Sequence, residues 1–430
     1  MVTADPNIKA NRIKLTSQIH DVMDAFYEET RNSKYVAWCV GACPYEIFNG
    51  AHMARFQTEN LAARISSAQE QVPYIEYAES HGLGNEVCSY TKINLGQALM
   101  MVEGKEEEMI PERLRVPKPD VVIALNTCPT MIQWANALVD IFHVPYYYID
   151  APFYYDDTKE CWDRNIAYVK EQLAGLIKFI EDFTGEPYDW DALRHQIDVI
   201  EEFTAYRREI LECQKHVPAP GTFIDGAVAF GPANTVRSEG CIQLYKEYRD
   251  ELVGRIERGE GALIGGEEKY RILWRGNFPW FKMGTLSRML SKYGAILLDG
   301  GYAFHNYGAI GSEYMGNHGF NKDDILMTIA AEHSARSYTR TFNWKVEKEF
   351  KAFIDDYHVD AVIIHSPHTC RPWAMQAQDL GRKAEEIYGI PCLVLDSDHT
   401  DPSFFHDAQV ETRIQSLLEA VDTRRKQQSK

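Results

Sequence analysis

Val359-Asp-Ala-Val-Ile-Ile-His-Ser-Pro-His-Thr-Cys370-Arg-Pro372 sets an apolar run, Ala361 to Ile364, ahead of a polar turn that carries one cysteine. The run reads as a buried strand, and Pro372 suits the first turn of the helix that follows. In an open parallel sheet, ligands sit beyond the carboxyl ends of the strands. The pattern therefore places Cys370 where chemistry is done.

The same order of residues occurs earlier, in Pro119-Asp-Val-Val-Ile-Ala-Leu-Asn-Thr-Cys128-Pro129. Both copies continue through a helix into a second apolar run, Val144-Pro-Tyr-Tyr-Tyr-Ile-Asp150 and Ile390-Pro-Cys-Leu-Val-Leu-Asp396. An upstream pair repeats as well: Val36-Ala-Trp-Cys-Val-Gly-Ala-Cys-Pro44 resembles Ile272-Leu-Trp-Arg-Gly-Asn-Phe-Pro279. Matched features in the same order argue against coincidence. They point to two α/β halves of similar design, each with a cysteine at the end of an equivalent strand.

At 430 residues the chain has room for two or three domains, and 45% hydrophobic with 25% charged residues is the balance of a soluble globular protein. The net charge of -18 argues against nucleic acid as the main partner, because phosphate neutralisation needs a basic face. A CoA ester or nucleotide needs only a local basic or helix-N-terminal site and stays open. No apolar run approaches the roughly 20 residues of a membrane span. Met1-Val-Thr-Ala-Asp-Pro6 lacks the charged and apolar regions of a secretory signal, so a cytoplasmic protein without membrane contact is expected. The nine cysteines contain no CxxC pair, which excludes ribbon-type zinc sites and ferredoxin-type cluster runs. A metal site here has to be assembled from distant segments.

Taken in order, residues 1–155 read as a first α/β domain with an N-terminal helix from Ile13 to Glu28, and Pro44 is expected to start a helix running through Glu46, Phe48 and Met53. Cys88 falls at a helix N-terminus with Ser89 as a plausible cap, where the amides favour a thiolate. Residues 156–265 read as a helical insert or cap, with long amphipathic helices from Thr158 to Phe183 and Ala192 to Lys215. Residues 266–430 form the second α/β domain, with strands near 272–274, 295–298, 361–364 and 392–395. Its long connection, Gly300 to Phe320, is dense in glycine and aromatics and is expected to form a pocket wall, with a loop packed on the insert as the alternative.

Three cysteines, Cys88, Cys128 and Cys370, stand at element ends. Thiolates are the usual ligands of iron–sulfur clusters, and three of them leave one iron free for a further ligand. Cys161, Cys213, Cys241 and Cys392 lie within or beside helices and strands and read as small buried hydrophobes.

The motifs Cys43-Pro-Tyr-Glu46-Ile-Phe-Asn-Gly-Ala, Cys88-Ser-Tyr-Thr-Lys, Asp120-Val-Val-Ile with Thr127-Cys128, His365-Ser-Pro-His-Thr-Cys370 and Asp396-Ser-Asp398 with Thr412-Arg413 resemble those of the 2-hydroxyacyl-CoA dehydratase and benzoyl-CoA reductase family over nearly the whole chain. The resemblance implies two Rossmann-like parallel-sheet domains with a 4Fe-4S cluster between them, held by Cys88, Cys128 and Cys370. Glu46, His52, His365 and His368 lie in or near the motifs and are the candidate proton donors; a hydrogen-bonded structural histidine is the alternative for each histidine.

The wording around Trp274-Arg-Gly-Asn-Phe-Pro-Trp280 is most similar to the larger cluster-binding subunit of an ATP-dependent benzoyl-CoA reductase. That likeness implies one-electron reduction of an aryl-CoA thioester to a cyclic dienoyl-CoA. The alternatives are radical dehydration of a 2-hydroxyacyl-CoA, or a non-catalytic electron carrier whose double-cubane cluster would recruit Cys39 and Cys43. No GxxxxGK[ST] motif occurs, so ATP hydrolysis is expected in a separate iron–sulfur activator, with ferredoxin as electron source and a homologous sister subunit.

Overall fold

The computed structural model describes residues 2–156, 158–300, 323–335 and 343–429; the expected pocket wall at 301–320 lies outside them. Its strands are β1 (Lys9–Ala10), β2 (Val36–Val40), β3 (Ala54–Gln57), β4 (Val121–Leu125), β5 (Tyr146–Ile149), β6 (Leu263–Ile264), β7 (Tyr270–Arg275), β8 (Ala295–Asp299), β9 (Ala361–Pro367) and β10 (Cys392–Ser397). β1 and β6 make a short antiparallel pair. The rest form two parallel sheets, ordered β3-β2-β4-β5 and β8-β7-β9-β10. Each half therefore lays down its strands as second, first, third, fourth. The expected α/β class and the internal repeat both appear in this shared order.

Strands β2, β4, β7 and β8 are buried along their whole length, which is why they read as unbroken apolar runs rather than alternating ones. Alternate residues still serve different faces. Ala37, Cys39, Val121, Ile123 and Leu125 join a core with Leu173, Leu176 and Ile177 of the helix Lys159–Thr184 and with Ile329 of the helix Ile325–Ala335. Val36, Trp38, Val40 and Val122 face the helices Ser89–Val102 and Pro129–Phe142, and that core continues without a break into Ile272, Leu297 and Ile363 of the second sheet. The two halves thus share apolar packing.

The repeated aspartates pin the strands. Asp120 accepts from the Val36 N–H and donates its own N–H to the Val36 carbonyl, both at 2.8 Å; Asp360 does the same with Arg271 at 2.8 and 2.9 Å. Each half thereby fixes the start of its third strand against the start of its first.

At the other end of the first strands, Gly41 and Gly276 take left-handed φ values of 84° and 104°. A Cβ on Gly41 would stand 2.4 Å from the Leu125 carbonyl oxygen, and one on Gly276 2.9 Å from that of His365. Glycine is required at both places so that the first-strand loop can close onto the end of the third strand. In this strand order the crevice between the first and third strands is the switch point where ligands bind.

One local expectation fails. The segment after Pro44 forms a single 3-10 stretch, Tyr45–Gly50, and β3 follows it. Gly50 packs so closely under the Asp189 carbonyl that a Cβ would stand 2.3 Å from it, and His52 turns with a φ of 47°. Contact with the segment that starts the helix Trp190–Cys213 overrides the helical spacing of Glu46, Phe48 and Met53. Among the described residues, no helix is long and apolar enough to cross a membrane.

Gly41→Ala should combine a left-handed φ with a backbone collision and lower stability by about 2 kcal/mol or more. Gly82→Ala, also at positive φ but with nothing within 4 Å of its Cβ, should cost only about 1 kcal/mol. Denaturant midpoints of the two variants measure the difference.

Candidate functional site

Cys128 and Cys370 follow the third strands and are the N-caps of the helices Pro129–Phe142 and Arg371–Glu386. Cys88 is the N-cap of the helix Ser89–Val102. Three helix N-termini thus converge, each headed by a cysteine, on a cavity of about 170 Å³ walled by Tyr90, Trp134, Phe230, Trp280 and Trp373. Ala42, Glu59 and His399 also line it.

The two Thr-Cys pairs, alike in sequence, are wired differently. Thr127 Oγ1 accepts from the Ala42 N–H at 3.1 Å and holds the first-strand loop of its own half. Thr369 instead donates to Asp398 Oδ2 at 2.7 Å and accepts from the Ser89 N–H at 3.1 Å. The Ser89 hydroxyl donates to Asp398 Oδ1 at 2.5 Å, and the backbone N–H groups of Thr369, Thr400 and Asp401 also donate to this carboxylate. Asp398 is fully buried; burial acts to raise its pKa, but the charge of the His399 ring whenever that ring is protonated, and the hydrogen bonds from Ser89 and Thr369, outweigh it and hold the carboxyl well below the usual range. Ser89 bonds to this hub rather than capping its helix, and so ties the helix bearing Cys88 to the second half. Lys92, fully buried one turn on, reinforces the tie by donating to Glu79 at 2.7 Å and Asp401 at 3.3 Å.

The helix-end amides favour a thiolate at Cys88 as expected, but burial outweighs them. Burial pushes the thiol up to about 12, against the downward pull of the Thr91 and Tyr90 amides, and a charge on Cys128 would raise it further. Burial also raises Cys370 strongly and Cys128 less so, with Cys88 the next contributor at Cys370. All three are neutral thiols at neutral pH, and their thiolate forms need a cationic centre between them. Among the described residues, the group of three metal-ligand atoms that closes to within 4.8 Å is Glu46, Glu332 and His333. The three cysteine sulfurs do not meet that limit together. A single tetrahedral ion would draw its sulfurs to about 3.8 Å apart, so this donor set suits a larger, polynuclear group.

Cys39 and Cys43 are absent from this wall. Both are buried in the core on the other face of the first sheet, where Cys43 Sγ contacts the Val40 and Ile123 carbonyls at 3.3 Å.

None of the four candidate proton donors borders the cavity. Glu46 is fully buried behind it, ion-paired with Arg237 and 2.9 Å from His333 Nε2, a contact that requires a proton on one of the two; His333 Nδ1 donates to the carbonyl of Ala42 at 2.8 Å. His365 has both ring nitrogens engaged, with the Asn277 carbonyl at 2.6 Å fixing the proton on Nδ1 and Ser397 Oγ at 2.8 Å donating to Nε2. It braces the first-strand loop of the second half against β10. His368 is exposed and stacks on Phe404 at 4.0 Å, and His52 is exposed. Among the described residues, the titratable side chains at the wall besides the cysteines and Tyr90 are Glu59 and His399. His399 adjoins the Asp396-Ser-Asp398 motif, which could have drawn attention to it, whereas Glu59 carries no signal among 63 acidic residues.

Burial lowers the His365 pKa to about 4. From pH 6.5 down to 4 the unfolded chain takes up a proton that the folded chain refuses, so this residue's contribution is complete above pH 6.5. It falls by about 3 kcal/mol as pH drops to 4. Unfolding titrations of the wild type and His365→Gln should diverge across that window and run parallel above it.

The sequence model of the family described as "2-hydroxyglutaryl-CoA dehydratase, D-component" matches residues 39–421. The chain is 26% identical to the (R)-phenyllactyl-CoA dehydratase alpha subunit of Clostridium sporogenes over 396 residues, covering 92% of this chain and 91% of that one. It is 25% identical to the alpha subunit of the lactoyl-CoA dehydratase of Anaerotignum propionicum, covering 92% of each chain. Against a benzoyl-CoA reductase subunit of Thauera aromatica the identity is 26% over 360 residues, 81% of this chain and 79% of that one. A match over nearly the whole length, with the three N-cap cysteines on one cavity, identifies the chain as a member of the 2-hydroxyglutaryl-CoA dehydratase D-component family.

Proposed function

We propose that this chain is the cluster-binding subunit of an acyl-CoA enzyme, with Cys88, Cys128 and Cys370 as ligands of one 4Fe-4S cluster, and that the enzyme reduces the ring of an aryl-CoA thioester to a cyclic dienoyl-CoA. The observation that carries the reading is the convergence of the three half-buried N-cap cysteines on one cavity. When bound, such a cluster supplies single electrons at low potential. The chain's own residues would do the rest. The helix N-termini favour negative charge on the three sulfurs. Trp134, Trp280 and Trp373 exclude water and offer flat apolar faces to an aryl group. Glu59 and His399 are the side chains placed to hold a proton at the wall. The electrons would come from ferredoxin through an ATP-hydrolysing iron–sulfur activator, and a homologous sister subunit would complete the enzyme.

Dehydration of a 2-hydroxyacyl-CoA is the second reading. It is favoured by the dehydratase alpha subunits, which match 92% of the chain where the benzoyl-CoA reductase subunit matches 81%.

Two measurements test the proposal. Prepared anaerobically with its sister and activator, the protein should turn over benzoyl-CoA only while ATP is hydrolysed. Dehydration of (R)-phenyllactyl-CoA without turnover of benzoyl-CoA would select the second reading. Replacing Cys88, Cys128 or Cys370 by Ala should remove most of the iron, whereas Cys43→Ala and Cys213→Ala should retain it. Full iron in Cys370→Ala defeats the ligand set. Iron at about twice that of one four-iron cluster, lost on mutating Cys39 or Cys43, would establish the double-cubane alternative.

A further inference from the structure

His399 lies at the cavity wall, fully buried, with its ring edge on Tyr90 (centroids 4.2 Å apart, planes at 74°) and its backbone carbonyl accepting from the Trp280 N–H at 3.1 Å. The ring is therefore held in one orientation. Its Nε2 stands 3.1 Å from Ser89 Oγ and 3.9 Å from Cys88 Sγ. Which of these atoms carries hydrogen can be worked out from the neighbours. Asp398 is an ionised carboxylate with none to give, so the 2.5 Å contact from Ser89 uses the one hydrogen of that hydroxyl. Thr369 likewise gives its hydroxyl hydrogen to Asp398, at 2.7 Å. Ser89 Oγ can then only accept from His399, and the proton lies on Nε2. Nδ1 is 3.6 Å from Asp398 Oδ1, which already accepts from Ser89, Thr400 and Asp401, and it makes no hydrogen bond. An N–H is thus fixed between a hydroxyl oxygen and the sulfur of Cys88.

We infer that His399 is a positioning residue for Cys88: its Nε2–H donates to the Cys88 sulfur once that sulfur is a thiolate, and so sets the potential of the iron–sulfur group that the three cysteines hold. The inference rests on the cluster assignment above. Hydrogen bonds to ligand sulfurs stabilise the more electron-rich state and raise the reduction potential. Ser89 competes for the same hydrogen. The position of this one N–H then decides how readily the site accepts an electron from its donor.

The test is the midpoint potential of the iron-loaded chain, measured by anaerobic spectroelectrochemistry with iron counted in every sample. His399→Phe keeps an aromatic ring against Tyr90 and removes the donor; its potential should become more negative, by about a tenfold change in the reduction equilibrium. His399→Gln restores an N–H near the Nε2 position and should recover most of the shift. Ser89→Ala removes the competing acceptor and should move the potential the other way. In the reduced wild type an exchangeable proton should couple to the cluster spin, and that coupling should vanish in His399→Phe. An unmoved potential in His399→Phe at full iron content overturns the role of His399 and leaves the cluster assignment standing. A wild-type chain without iron overturns the assignment and this inference with it. Should His399→Phe lose its iron, Ser89→Ala decides: a potential that does not rise overturns the inference.

Discussion

A buried carboxylate that accepts from five donors holds this structure at its centre. Asp398 binds the hydroxyls of Ser89 and Thr369 and three backbone N–H groups, and the two hydroxyls come from segments far apart in the chain. Removing such a charge from its donors, or the donors from it, typically costs about 3–5 kcal/mol, several times what an exposed ion pair contributes. The hub does more than add stability. It is where the helix headed by Cys88, which lies between the second and third strands of the first half, is fastened to the strand end of the second half that carries Cys370. The shared apolar core brings the halves together, and Asp398 decides how they register at the cavity.

Much of the frame was legible because both faces of these parallel sheets are covered. Strands hidden on both sides must be apolar throughout, and β4, β8 and the first part of β9 stand out in the sequence for that reason. The aspartates and glycines repeated around the strands are equally readable, since each answers a backbone need that recurs in both halves. β3 was missed because Ala54-Arg-Phe-Gln57 looks polar. It is largely buried nonetheless, with Arg55 reaching the Val236 carbonyl at 3.1 Å.

The site was legible in part. Its cysteines could be found from their places at element ends and from family likeness. Its protonation chemistry could not, because hydrogen-bond partners from distant segments decide it. Glu46 reads in the sequence as a candidate donor on an expected helix, and only the fold brings Arg237 and His333 to enclose it. Of the two readings open for His365, proton donor or hydrogen-bonded structural residue, the Asn277 carbonyl and Ser397 select the second by occupying both its nitrogens. Thr127 and Thr369 are the same word in the sequence and differ in partners only after folding.

The cysteines are divided between the halves: Cys88 and Cys128 come from the first and Cys370 from the second. Any group bound by all three is a cross-link spanning most of the chain, and whatever binds only the closed form stabilises it by mass action. Loading would therefore add to the stability of the folded chain, and loss of the bound group would take that share away while the apolar core common to both halves remained.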